Sequence, residues 1–371
     1  MMTVERFSAN VELMPFLSGE IRIVDMTLES PVFNIQIDDG GKINWTNRQG
    51  ALLNPDQVKL DQLTVTNASF NIEGVATNHV IKGAQINADV SAQSLYGPWQ
   101  ISGKGVLDEV ETAFQFSTGR LSDENSIRLK ADVRQAGRPY RLQVDGPVKV
   151  ADSILSWVGA FSIAPDSKAT SPFDLASEPL PVKVDGLFSL LPTRLELSEY
   201  RIDIGPKEDP FTLTGLGSAR LKGGIDFKLQ IDGRQIDLDR ISQMKNAQSK
   251  TSATLETRIQ LINEVLTQIP VPTFKGEIDL EIPAIIAGDT FIRQVSALVR
   301  PFGKGWEIVR LKSSLPGNTL VEASGRVGSG DDFGFHGNIL IASRQPSGFS
   351  AWAAGKVDPS IRRLKSAGLS A

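Results

Sequence analysis

The feature that most constrains this chain is an alternation of apolar and polar residues along much of its length, the period-two signature of half-buried β-strands. It is clearest in Ile225-Asp226-Phe227-Lys228-Leu229-Gln230-Ile231-Asp232, where every second side chain is Ile, Phe or Leu and every other one is polar. The same period recurs at Ile21 and Ile23; at Phe33, Ile35 and Ile37; at Leu195 and Leu197; at Ile278, Leu280 and Ile282; and at Ile339 and Ile341. Successive side chains of a strand point to opposite faces, so each such strand has one face that prefers water and one that avoids it.

Turn signals separate these runs: Asp39-Gly40-Gly41, Lys222-Gly223-Gly224, Gly303-Lys304-Gly305, Pro316-Gly317-Asn318 and Gly328-Ser329-Gly330-Asp331. Such short connections predict antiparallel neighbours. Between 291 and 342 they predict a four-strand meander, near 291–299, 306–312, 319–327 and 333–342. Strands of this length run roughly 30 Å at about 3.3 Å per residue. Alternation names the apolar face but not its cover, and a second sheet, helices or a ligand all remain open.

Helices are expected to be few. Leu255, Ile259, Ile262, Leu266 and Ile269 recur at helical spacing and Pro270 stops the run, which predicts a helix over 254–269. A second is expected to start at Asp152 or Ser153 as N-cap, with Ile154, Trp157, Val158 and Phe161 on one stripe. A third starts near Asp237 with Leu238, Ile241 and Met244 on one side. Phe349, Trp352 and Ala353 repeat the aromatic spacing near the C-terminus, and the segments around Trp157 and Trp352 suggest a weak internal repeat. Pro165, Pro172, Pro179 and Pro181 mark 164–181 as a linker. The expected organisation is therefore a β segment over 1–163, that linker, a second β segment over 182–343 carrying the 254–269 helix, and a C-terminal helix and tail over 344–371. The end of the tail, after Lys356, is expected to fray.

Composition narrows the chemistry. With 39 Lys and Arg against 43 Asp and Glu, a net charge of −4 and no basic stripe, nucleic acid is not an expected partner. The absence of cysteine removes disulfides, thiolate catalysis and Cys-based metal sites; two histidines, His79 and His336, make a His-rich site improbable. His79 reads as a strand-edge residue, and His336, alternating against Phe333 and Phe335, as polar-face. The carboxylate pairs Asp38-Asp39 and Asp331-Asp332 fit hairpin turns, and Asp237 fits a helix cap. No G-x-S-x-G, H-E-x-x-H or Walker A sequence occurs, and the Gly215/Gly217 and Gly325/Gly328/Gly330 clusters precede strands rather than a helix. The expectation is a non-enzymatic protein without cofactor or metal. The opening Met1-Met2-Thr3-Val4-Glu5-Arg6 lacks a signal-peptide core, and Ile154 to Pro165 is too short to span a bilayer as a helix.

Residues 11–45 carry a resemblance. Leu13-Met-Pro-Phe-Leu17-Ser-Gly19-Glu-Ile21-Arg-Ile23, then Leu28-Glu-Ser-Pro31-Val-Phe-Asn-Ile35, then the Asp38 to Trp45 turn with Ile43-Asn44-Trp45, closely resemble the AsmA-like family of bacterial envelope proteins. Leu17, Gly19, Ile21, Pro31, Asn44 and Trp45 are the motif positions. Ile236-Asp-Leu-Asp-Arg240 is similar to that family's short D-L-D-R helix, and Trp157-Val-Gly159 to its inter-repeat element. The resemblance implies a mainly β fold: an extended antiparallel meander forming a twisted open β-groove, with a few short helices as caps or plugs. It implies a periplasmic location in Gram-negative bacteria, an inner-membrane anchor that this chain lacks and that marks it as N-terminally truncated, and a role in phospholipid transport and outer-membrane assembly. Phospholipid and outer-membrane or periplasmic proteins are the partners it implies.

The residues expected to line the groove are Ile225, Phe227, Leu229, Ile231, Ile278, Leu280, Ile282, Ile339 and Ile341. Ordinary core packing beneath helices or a second sheet explains any single one of them equally well. A competing expectation is an envelope interaction module whose open strand edges dock partner proteins by strand addition.

Overall fold

The alternating runs become strand almost everywhere: in the computed structural model 68% of the described residues are strand and 7% helix, in mixed, open sheet. The structure describes all residues except 1, 18, 39, 41, 43, 45–53, 75–78, 123, 153, 175–180, 206, 238–262, 264–266, 268–270, 287–290, 329, 331–332 and 355–356. The chain divides into two compact units, 1–198 with 219–224, and 199–218 with 225–371.

The first unit contains β1 (Met2–Thr3), β2 (Arg6–Glu12), the five-residue helix α1 (Leu13–Leu17), β3 (Ile21–Glu29), β4 (Val32–Ile37), β5 (Val58–Gly74), β6 (His79–Ala92), β7 (Trp99–Leu107), β8 (Val110–Thr118), β9 (Ser126–Gln135), β10 (Tyr140–Ala151), β11 (Ile154–Pro165) and β12 (Val182–Leu191). From β5 to β12 each strand pairs antiparallel with the next, a meander set by short turns. The other edge of the long β5 is parallel: β3 lies along its first half and β4 along its second. Beyond them, β2 pairs with β3 and β1 with β4, both antiparallel. Ser30 (φ 49°) and the fully buried Pro31 make the break between β3 and β4.

The division between units falls within β13 (Arg194–Ile204) and β14 (Phe211–Arg220). The second unit then contains β15 (Asp226–Gly233), β16 (Gln235–Asp237), β17 (Lys275–Ile286), β18 (Phe291–Phe302), β19 (Gly305–Leu315), β20 (Thr319–Val327), β21 (Phe335–Ser343), the helix α2 (Pro346–Ala354) and β22 (Ala367–Ser370). β15 and β16 run parallel to β17, and β17 to β22 form an antiparallel meander. The expected four strands between 291 and 342 are β18 to β21.

The two units share a construction. In each, a broken strand (β3/β4; β15/β16) runs parallel to a long one (β5; β17) that opens a meander. In each, the second meander strand carries a glutamine at positive φ, Gln85 and Gln294, both 53°. The ladder to the next strand shifts at the same place around each: between Ala84 and Asn87, and between Arg293 and Ser296. A bulge residue in the left-handed region adds one residue to a strand and bends it. The sequences after it match in pattern, Gln85-Ile-Asn-Ala88-Asp-Val90 against Gln294-Val-Ser-Ala297-Leu-Val299, with both alanines buried. This repeat replaces the one expected from the tryptophan segments, since Trp157 lies in β11 and Trp352 in α2.

Other expectations change. The helix expected from Asp152 or Ser153 is β11. Ile154, Trp157, Val158 and Phe161 fit a helical stripe, but Leu155, Trp157, Phe161 and Ile163 also fit period two, and the open edge of β10 selects the strand. Asp237 ends β16, so the Ile236–Asp237 part of the D-L-D-R element is strand, and the helix expected to follow it falls on residues outside those described. Leu238, Ile241 and Met244 lie outside the described residues, as does most of 254–269. Asn263 and Thr267 are described and helical, with Thr267 Oγ1 donating to the Asn263 carbonyl at 2.7 Å. The antiparallel expectation fails at β3, β4, β15 and β16, whose parallel partners lie beyond long connections that local pattern does not specify. The tail does not fray: β22 pairs with β21, and Ala371 exchanges backbone hydrogen bonds with Ile339.

The segment 164–181 joins β11 to β12, two paired strands of one unit. Part of it folds back onto the sheet. Asp166 is 1% exposed; its carboxylate lies 3.4 Å from Arg134 Nε and accepts from Thr170 Oγ1 at 3.1 Å. Among the described residues, no helix is long and apolar enough to cross a membrane.

Candidate functional site: the apolar face of the sheets

Strand register sorts the side chains by face. In the first unit one row of register partners crosses ten strands: Phe7, Leu28, Val65, Ala88, Gly103, Phe114, Val133, Leu142, Ile163 and Val184. The adjacent row reads Ala9, Met26, Leu63, Val90, Ile101, Phe116, Ala131, Val144, Phe161 and Gly186. Neither row contains a polar side chain. With strands about 4.8 Å apart, ten of them carry an apolar band roughly 43 Å long.

The second unit repeats this. Leu229, Ile278, Val299, Ile308, Gly325 and Gly337 form one row; Ile231, Leu280, Ala297, Leu311, Ala323 and Ile339 form the next. Ile282 pairs with Val295, and Ile341 with Val321 and Leu369. Eight of the nine residues expected to line a groove therefore lie on one face, and Ile225 immediately precedes β15 at the same parity. Sequence reasoning missed the larger first-unit band. Its signal was present in Ile101, Phe114 and Phe116, but glycines and alanines in the rows dilute the alternation.

Burial is uneven along this face. Ile282 and Phe227 are buried, at 4% and 7% exposure, whereas Leu142 is 38% exposed and Phe7 68%. Leu28, Val65, Ala68 and Ala88 form a buried cluster in the first unit, packed by Phe114 two strands from Ala88 across Gly103. Leu213, Ile236 and Ile282 do so in the second.

The opposite face is polar and internally paired. Asp89, Ser102, Gln115, Asp132, Gln143, Ser162 and Asp185 form one row across β6 to β12. Arg128 grips Asp145 with two hydrogen bonds, 2.7 and 3.1 Å, which hold the carboxyl below its usual range and raise the guanidinium. Lys312 pairs with Glu322 at 2.7 Å, and Gln143 donates to Asp132 at 2.7 Å. A depression of about 710 Å³ on this side of the first unit includes Asp61, Asp89, Gln115, Lys130 and Asp132. Asp61 is held by Arg22 at 2.8 Å, and Asp132 accepts from Gln143 and lies 3.4 Å from Arg134.

The remaining candidates have structural placements. His336 is exposed on the polar side of β21 opposite Arg326, and His79 opens β6. Asp38 accepts from the backbone N–H of Gly40 and Lys42 at 2.9 and 2.8 Å, the turn role its sequence suggests. No group of three or more His, Asp or Glu placed to hold a metal occurs among the described residues. Of the motif positions, Leu17 ends α1, Gly19 turns at φ 84°, Ile21 opens β3, Pro31 is buried in the β3/β4 break, and Asn44 donates to Gln36 O at 2.9 Å; Trp45 lies outside the described residues. No protein-family model, curated protein or solved structure matches the chain.

Proposed function

We propose that this protein holds phospholipid acyl chains along the apolar face of its sheets, in a non-catalytic role of the kind that the AsmA-like resemblance implies: passage of phospholipid through the periplasm toward the outer membrane. The observation that carries the reading is the pair of unbroken apolar rows across ten strands of the first unit, with a charged, internally paired face behind them. Apolar surface left in water costs about 25 cal/mol per Å², and acyl chains laid along the band remove that cost. One leaflet's chains occupy about 15 Å, half of a hydrocarbon core of about 30 Å. The band is long enough for more than one lipid.

The test is native mass spectrometry with lipid extraction on protein purified from a Gram-negative host, before and after incubation with phospholipid vesicles. Leu142→Asp and Leu229→Asp place a charge on the band in each unit; Gln115→Glu does so on the polar face. Phospholipid bound to the wild type and to Gln115→Glu, and lost from both band variants with unchanged β circular dichroism, is the expected result. A folded wild type that carries no lipid and acquires none overturns the reading. The band would then be covered by a protein partner.

A further inference from the structure

We infer that the β2–β3 turn, with α1 at its tip, dips into the outer layer of a lipid bilayer and delivers lipid to the adjoining end of the first-unit band. The inference rests on the lipid-binding reading of that band and adds where a membrane meets it. Leu13, Met14 and Leu17 are 77%, 77% and 83% exposed, the highest values among the described large hydrophobic residues. They sit together on one short helix whose geometry is set. Glu20 N–H donates to Pro15 O at 3.0 Å, and Gly19 at φ 84° turns the chain into β3, a conformation that glycine adopts without strain.

Charge marks how deep such a tip would go. Residues 13–19 carry no ionisable side chain. Immediately behind them lies a belt of matched ions: Arg22 with Glu12 at 3.2 Å and with Asp61 at 2.8 Å, and Lys59 with Glu20 at 3.1 Å. An apolar tip followed by paired charges suits the acyl boundary followed by the headgroup layer. The belt holds two cations and three anions, so apolar burial and not attraction to anionic lipid would drive binding.

The tip is also continuous with the band. Val11 on β2 pairs with Ile23 on β3, and Ile23 with Leu60 on β5; Ile21 and Val58 pair one step nearer α1. Val11 is 46% exposed, so the β2 side of this end is open toward the tip, while Val58 and Leu60 on β5 are buried at 6% and 5% exposure. A chain leaving the bilayer at α1 meets apolar surface without crossing the charged belt.

The experiment is flotation of the protein with vesicles of zwitterionic phosphatidylcholine and phosphatidylethanolamine, at low and high salt, for the wild type and the Leu13→Ser, Met14→Ser, Leu17→Ser variant. The expected result is salt-insensitive flotation of the wild type and a fall of about a hundredfold in the variant's bound-to-free ratio. Because all three side chains are exposed, the unfolding midpoint should be unchanged. A variant that floats like the wild type, a wild type that does not float, or binding seen only with anionic vesicles and lost in salt overturns the inference. Binding of a dispersed short-chain phospholipid, measured on the same proteins, separates the two readings. The tip variant should retain it and Leu142→Asp should lose it, whereas tip-dependent flotation with no short-chain binding would leave the tip standing and remove the band.

Discussion

The ring of Phe227 lies over Gly276 on the parallel neighbour strand, so close that a Cβ at Gly276 would collide with it. Phe70 over Gly83 and Tyr200 over Gly215 repeat the relationship. An aromatic ring needs more width than one strand offers, and glycine on the next strand provides it while the ring covers backbone that glycine leaves bare. Phe227 also meets Phe274 edge-on at 5.8 Å. Gly276→Ala should therefore force a ring that is 7% exposed out of its place, at about 2 kcal/mol. Urea unfolding would measure it, against Gly334→Ala, where nothing lies within 4 Å and a change within about 0.5 kcal/mol is expected.

Tyr200 gives a pH signature. Its hydroxyl donates to Gln230 O at 2.6 Å, and burial, with the charge of Asp232 adding, pushes the phenol from 10.0 up to about 12. A pKa raised in the folded state means that the native protein keeps a proton that the unfolded chain has lost. This group should leave stability unchanged below pH 10 and lower it as pH rises from 10 to about 12. Phenolate absorbance should show one of the three tyrosines titrating last. Tyr200→Phe should abolish that step and cost about 1 kcal/mol, because Gln230 O loses its donor.

Asp166 fastens the Pro-rich segment to the sheet. Its side chain is 2% exposed beside Arg134 at 16%. Asp166→Ala leaves the guanidinium with Asp132 alone and should destabilise by about 3 kcal/mol, the lower end for breaking a buried pair. Limited proteolysis should then cut first within 167–174, and uncut protein with wild-type stability would show that the segment contributes nothing to the sheet.

The paired bulges should respond alike. Gln85 and Gln294 are exposed and held at φ 53°, where a β-branched side chain is strained. Gln→Gly at either site should be neutral to mildly stabilising, and Gln→Val should cost about 1 to 2 kcal/mol at both. Unequal responses in thermal unfolding would argue against a common construction.

Some of this architecture was legible in advance and some was not. The 291–342 meander, the α2 helix and the face shared by Phe227, Leu229, Ile231, Ile278, Leu280, Ile282, Ile339 and Ile341 follow from local spacing. Ile154 to Pro165 misled because its apolar residues satisfy both a helical and a strand period. The tip at α1 was read only as a motif, since sequence does not report that Leu13, Met14 and Leu17 face solvent.

The sequence by itself determined strand, turn and sidedness, because side-chain direction in a strand depends only on the parity of neighbouring residues. Tertiary structure alone decided which strands adjoin across long connections. Pairing β3 and β4 with β5, or β15 and β16 with β17, closes long connections, and no local propensity encodes that choice. It also decided where the sheet must bend, at Gln85 and Gln294, because a bulge is set by the register between a strand and its neighbour and not by the residue that occupies it.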